Sequence, residues 1–193
     1  PAGVTFDGAT VNATYDIEVL GDWANNGKWS TSYFYIAGQA QFAISIRDTN
    51  ITLTNLQFSI DESWAANRPG IDLALIPSSS VTTIDRCITV PVGDNCDGGA
   101  GIYLPYQFGL TSATVNIYNT ISKDWDDTGG RAIDITAGGF TVNAYNNIFT
   151  NNETGILYTA GTVTIQNNGI FKNGNDVNGT VTTFTYNICD DTE

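Results

Sequence analysis

Residues 141 to 171 read TVNAYNNIFTNNETGILYTAGTVTIQNNGIF, and this stretch decides the fold. Thr141-Val142-Asn143-Ala144-Tyr145-Asn146-Asn147-Ile148-Phe149 returns as Thr162-Val163-Thr164-Ile165-Gln166-Asn167-Asn168-Gly169-Ile170-Phe171. The first Asn of each pair, Asn146 and Asn167, recurs after about 21 residues, and a fixed period carrying alternating apolar residues is a solenoid signal.

The same pattern extends outward. Apolar triplets open successive units at Ile44-Ser45-Ile46, Ile71-Asp72-Leu73, Ile102-Tyr103-Leu104, Ile133-Asp134-Ile135 and Ile156-Leu157-Tyr158, with a weaker one at Val177. A second series follows at Ile51-Thr52-Leu53, Thr82-Thr83-Ile84, Val115-Asn116-Ile117, Val142-Asn143-Ala144 and Val163-Thr164-Ile165. Shortly after these lie Asn55, Arg86, Asn119, Asn146 and Asn167, with Asn187 continuing the column. A third, shorter series includes Leu56-Gln57-Phe58, Ile88-Thr89-Val90, Ile148-Phe149 and Ile170-Phe171. Three strands per turn and a basal repeat of about 21 residues describe one chain wound into a coil, each strand pairing in parallel with its equivalent one turn on. Asn55, Asn119, Asn146, Asn167 and Asn187 are expected to form a ladder, because an unpaired buried amide costs ~1–3 kcal/mol. Arg86 interrupts it and is expected to turn outward or mark a distortion. A β-sandwich is the alternative fold, but it would not keep a column of Asn at this period.

The stretches Asn50 to Phe58 and Thr141 to Phe171 resemble the right-handed parallel β-helix of the pectin-lyase-like group. The resemblance covers residues 42–188, is weaker over 1–41, and leaves 189–193 as a tail or the start of a continuation. It implies an all-β, single-domain solenoid over 1–193, of a kind found in polysaccharide lyases, tailspikes and secreted surface proteins. It implies no particular activity. The Gly-His-Gly motif of polygalacturonase-like enzymes has no counterpart. A lyase-like base beside calcium has one candidate, Arg131 near Asp124, Asp126 and Asp127.

Composition narrows the function. The chain has 193 residues, a net charge of −13 and no His. Phosphate-tracking nucleic-acid binding and docking to anionic membranes are disfavoured, and no apolar run is long enough to insert into a membrane. Every mechanism needing an imidazole is excluded within this chain. Cys87 and Cys96 close a loop of about ten residues, suited to a disulfide in an oxidising compartment; three buried thiols are the alternative, and Cys189 is left over. Pro1 at the start suggests a processed product or an excised segment.

Long insertions follow the third strand of several units and are expected to share one edge of the coil. That edge gathers Asp61, Glu62, Asp94, Asp97, Asp124, Asp126, Asp127, Glu153 and Asp176, with Trp64 and Trp125. Asp124, Asp126 and Asp127 are the candidates for calcium, whose hard charge favours clustered carboxylate oxygens; a solvated acidic loop is the competing reading. Trp64 and Trp125 are candidates for stacking on sugar rings, or for covering their loops as small cores. Asp72 and Asp134, two turns apart, are the one carboxylate pair near the separation that glycoside hydrolysis uses. Sequons stand at Asn12, Asn50, Asn152 and Asn178.

The coil leaves open strand edges at its ends, and no capping helix is evident. The functional expectation is therefore a non-catalytic extracellular or cell-surface structural solenoid, glycosylated and pairing head to tail with itself or with further rungs. The alternative is a polysaccharide-binding or polysaccharide-degrading protein.

Overall fold

In the computed structural model the described residues are 4–6, 17–20, 36–38, 42–47, 50–61, 69–73, 76–92, 97–105, 112–136 and 138–190. Asn12, Trp64 and Cys96 lie outside them. The described residues form a right-handed parallel β-helix of three sheets, each of seven strands and all parallel.

The first sheet stacks β1 (Val4–Phe6), β4 (Ile44–Ile46), β7 (Pro69–Asp72), β10 (Ala100–Leu104), β13 (Arg131–Ile135), β16 (Thr154–Tyr158) and β19 (Asn175–Asn178). The second stacks β2 (Ile17–Leu20), β5 (Ile51–Thr54), β8 (Ser80–Asp85), β11 (Ala113–Tyr118), β14 (Phe140–Tyr145), β17 (Thr162–Gln166) and β20 (Thr183–Thr185). The third stacks β3 (Ile36–Gly38), β6 (Gln57–Asp61), β9 (Ile88–Val92), β12 (Ile121–Lys123), β15 (Ile148–Thr150), β18 (Gly169–Phe171) and β21 (Ile188–Cys189). Each turn of chain gives one strand to each sheet, and the first turn does so already at β1, β2 and β3.

Register follows the triplets read from the sequence. Ile44, Ile71, Ile102, Ile133 and Ile156 lie over one another and are fully buried. Val115, Val142 and Val163 do the same in the second sheet. Such burial stabilises by ~1.5–3 kcal/mol per side chain. The inward column of the third sheet runs Phe58, Thr89, Ser122, Phe149, Ile170. Its two hydroxyls are paired: Thr89 donates to Ser122 Oγ (2.7 Å), which donates to the Ala132 carbonyl (3.1 Å). Gly101 faces them across the coil, where a Cβ would collide with both oxygens.

The Asn column differs from expectation by one residue. Asn55, Arg86, Asn119, Asn146 and Asn167 all have φ between 52° and 59°. They stack, but as the left-handed residues of the corner between the second and third sheets, a conformation that Asn tolerates better than most side chains. Asn119, Asn146 and Asn167 are exposed. The left-handed residue breaks the two-residue alternation, so the next side chain points inward. The inward column is Leu56, Cys87, Thr120, Asn147, Asn168 and Asn187, and the ladder lies here. Of the expected members only Asn187 belongs to it; its left-handed neighbour is Tyr186. Asn147 Oδ1 accepts from the Thr120 N–H (2.8 Å), and its Nδ2 donates to the Ile117 carbonyl (2.9 Å) and to Asn168 Oδ1 (2.9 Å). Asn168 repeats the pattern onto Asn187. Arg86 turns outward and pairs with Asp85 at 2.9 Å.

This column also corrects the expected Cys87–Cys96 disulfide. Cys87 is a free thiol, 0% exposed, and directed into the coil. Its Sγ contacts the carbonyls of Leu53 and Asp85. Burial pushes the thiol pKa up to about 12.

Candidate functional site

The corner between the third and first sheets carries the expected acidic edge. Its left-handed residues are Asp124, Asn151 and Lys172, and the side chains that follow them, Trp125, Asn152 and Asn173, point inward and are buried. Trp125 is 0% exposed and part of the main core, so it is not available to stack on a sugar. Its backbone N–H donates to Asn152 Oδ1 (3.2 Å). The Asn152 amide donates in turn to Asn173 Oδ1 (2.9 Å) and the Ser122 carbonyl (3.4 Å). The Asn152 sequon is therefore sealed within a second amide ladder and has no room for a glycan in the folded chain. Asn178 is exposed and Asn50 half-exposed.

The acids of this edge mostly hold the coil together. Asp124 pairs with Lys123 and accepts from Asn151 Nδ2. Glu153 accepts from the Gly129 N–H. Asp176 accepts from Asn173 Nδ2 and from the Asp190 N–H. Asp126 is exposed and Asp127 half-buried. Among the described residues, Asp124, Asp126 and Asp127 included, no three His, Cys, Asp or Glu side chains converge on one point.

On the outer face of the first sheet, Asp72, Tyr103 and Asp134 stack on consecutive rungs. The two carboxylates are thus about 10 Å apart by strand spacing. Both are buried rather than solvent-facing, Asp72 at 7% and Asp134 at 3% exposure. Arg131 reaches Asp134 Oδ2 (3.0 Å), while Oδ1 is buried without a hydrogen-bond partner. Burial raises the Asp134 pKa, and Arg131 opposes the rise. Burial and the two flanking carboxylates raise that of Tyr103. A cavity of about 60 Å³, lined by Pro69, Gly98, Ala100, Tyr103, Arg131 and Asp134, adjoins this group. It accommodates little more than water, and a polysaccharide strand does not fit within it.

The outer face of the second sheet is different. From β11 to β20 its outward positions are Thr114, Asn116 and Tyr118; Thr141, Asn143 and Tyr145; Thr162, Thr164 and Gln166; and Thr183 and Thr185. Tyr118 and Tyr145 stack with centroids 5.7 Å apart and planes within 9°. Asn143 Nδ2 donates to Asn116 Oδ1 (3.0 Å). Beside the tyrosines runs a shallow open groove of about 520 Å³, lined by Asp85, Tyr118, Asn119, Tyr145, Asn146, Gln166 and Asn167. Asp85, at its edge, is held by Arg86 and by Asn119 Nδ2 (2.9 Å). The sequence reading sets its candidate ligand residues on the acidic edge and none on this face, although the signal of this face, Thr-Val-Asn and Thr-Val-Thr at one period, stands within the decisive stretch.

No protein-family model, curated protein or solved structure matches the chain. The geometry alone carries the functional argument.

Proposed function

We propose that the protein is a non-catalytic, extracellular or cell-surface structural solenoid whose rungs continue onto those of another copy. One observation carries this reading. Phe184 occupies the core position of Ile165 one rung earlier, yet it is 38% exposed where Ile165 is fully buried. Tyr186 and Ile188 beside it are 80% and 72% exposed. β19, β20 and β21 each pair on one side only among the described strands. A rung with a bare core residue and open backbone groups is a template for another rung, and a head-to-tail contact that does not close yields a filament. Further rungs of a longer chain would meet the same need. The exposed Asn178 suits a glycan that keeps the sides of such a filament soluble. Multi-angle light scattering of the purified 193-residue chain is expected to show concentration-dependent oligomers that Phe184→Asp with Ile188→Asp returns to monomer. A wild-type chain that stays monomeric at high concentration overturns the reading.

A polysaccharide-binding module is the second reading, favoured by the amide-lined groove at Asn119, Asn146 and Asn167. It ranks second because Tyr118 and Tyr145 each spend one ring face on the other, which leaves less aromatic surface for a sugar.

A further inference from the structure

We propose that the outer face of the second sheet, from β11 to β20, is an ice-binding surface whose ligand is the ordered water lattice of a crystal face. Charge gives the first ground. The chain carries −13, but none of the outward residues of these four strands is charged, and neither are the neighbouring corner residues Asn119, Asn146, Asn167 and Tyr186. Asp85 and Arg86 mark the border at β8 and neutralise each other. Charged groups keep their own hydration and are rejected by ice, so an uncharged face on so acidic a molecule is the side fitted to meet a crystal.

Geometry gives the second argument. Strand register is unbroken from β11 to β20. Like side chains therefore recur about 4.8 Å apart along the coil axis and about 6.6 Å apart along each strand. The axial repeat lies close to the shorter oxygen repeat on a prism plane of ice. Sheets normally twist, and flat ones are held by side-chain ladders. Here the Tyr118–Tyr145 stack and the Asn143–Asn116 bond are two such ladders, both between β11 and β14.

Side-chain chemistry gives the third. Thr114, Thr141, Thr162, Thr164 and Thr183 are β-branched and stiff at χ1, so methyls and hydroxyls are fixed before water arrives and little entropy is lost in ordering them. The amide pair is fixed by its own bond and the tyrosines by their stack. The same features count against a sugar polymer, which wants ring faces and flexible polar arms.

The test uses the full chain. Thermal hysteresis, inhibition of ice recrystallisation and partition into a slowly growing ice front are measured for wild type, Thr141→Lys with Asn143→Lys, Thr162→Lys, and Asp126→Lys on the acidic edge. The expected result is activity in wild type and Asp126→Lys, and a fall to buffer level in both face variants at unchanged circular dichroism. Thr162 is exposed, so its variant keeps the test valid if the double variant misfolds. Wild type rejected by ice overturns the proposal, as does activity that survives in Thr162→Lys. Absence of ice activity with binding to crystalline cellulose or chitin that the face variants abolish also overturns it, and assigns the face to polysaccharide.

Discussion

The corner between the second and third sheets is filled by Leu56, Cys87 and Thr120 in the earlier rungs and by Asn147, Asn168 and Asn187 in the later ones. In the earlier rungs each turn finds its own solution: the Cys87 N–H, for example, is met by Thr120 Oγ1 (3.3 Å). In the later rungs the amide oxygen accepts from a backbone N–H of the preceding rung, and the amide nitrogen donates to a carbonyl and to the oxygen of the next amide. A ladder of this kind demands a matching residue in every rung. The spacing reflects the demand: inward residues are 33 apart from Cys87 to Thr120, 27 from Thr120 to Asn147, and 21 from Asn147 to Asn168. The other corner agrees, with 27 from Trp125 to Asn152 and 21 from Asn152 to Asn173. Amide ladders and short rungs belong together, and apolar corners leave room for insertions.

The sharpest break in this comparison comes from Trp125, the apolar member of an otherwise amide corner. Trp125→Ala is expected to cost ~3–5 kcal/mol by opening a cavity. Trp125→Phe is expected to cost well under half of that, because the indole Nε1 it removes has no hydrogen-bond partner. Urea unfolding of the two variants checks the ratio. Next, Asn147→Ala leaves the Thr120 N–H and the Ile117 carbonyl without their partners, each worth ~1–3 kcal/mol when buried. Asn187→Ala, in a half-exposed residue, is expected to cost less, and equal losses in thermal melts would mean that the ladder acts locally instead of along the stack. In the opposite direction, Thr120→Asn is expected to lengthen the ladder by one rung at no cost.

Cys87 sharpens the comparison through pH. Its thiol holds a proton to about 12 in the folded chain against 9.0 for the unperturbed group. The unfolded chain therefore loses this proton first. The corresponding stability is complete below pH 9 and declines as pH rises toward 12, by roughly 1.4 kcal/mol per unit. Cys87→Ala should flatten that alkaline limb, and iodoacetamide at pH 8 should leave the native Cys87 unmodified.

Much of the coil was legible because its signal is redundant. The triplets at Ile44, Ile71, Ile102, Ile133 and Ile156 each point to the same column, and all five occupy it. The ladder was misread by one position because Asn146-Asn147 and Asn167-Asn168 are doublets, and the alternation of two cannot say which Asn absorbs the turn. Leu56 and Cys87 held the answer: apolar residues in the second place of the doublet mark it as the inward one. The same column argued against a disulfide at Cys87. The acids around Trp125 in the sequence leave it open between sugar stacking and a small core of its loop; the main core takes it because it follows a left-handed Asp124 just as Asn152 follows Asn151. Burial of Asp72 and Asp134 is hidden from the strand pattern, which does not show the partners that meet them, Ser45 at Asp72 and Arg131 at Asp134.

The unbroken register has a consequence for how such a molecule changes size. One residue gained inside a strand would reverse every side chain beyond it, whereas a whole circuit of about 21 residues, its asparagine doublet included, can be gained or lost with the register on either side preserved. Growth of this protein is therefore quantised. Its permitted lengths form a staircase with a tread of one strand spacing, ~4.8 Å, and the twin duplets at 146–147 and 167–168 read as successive copies of one such step.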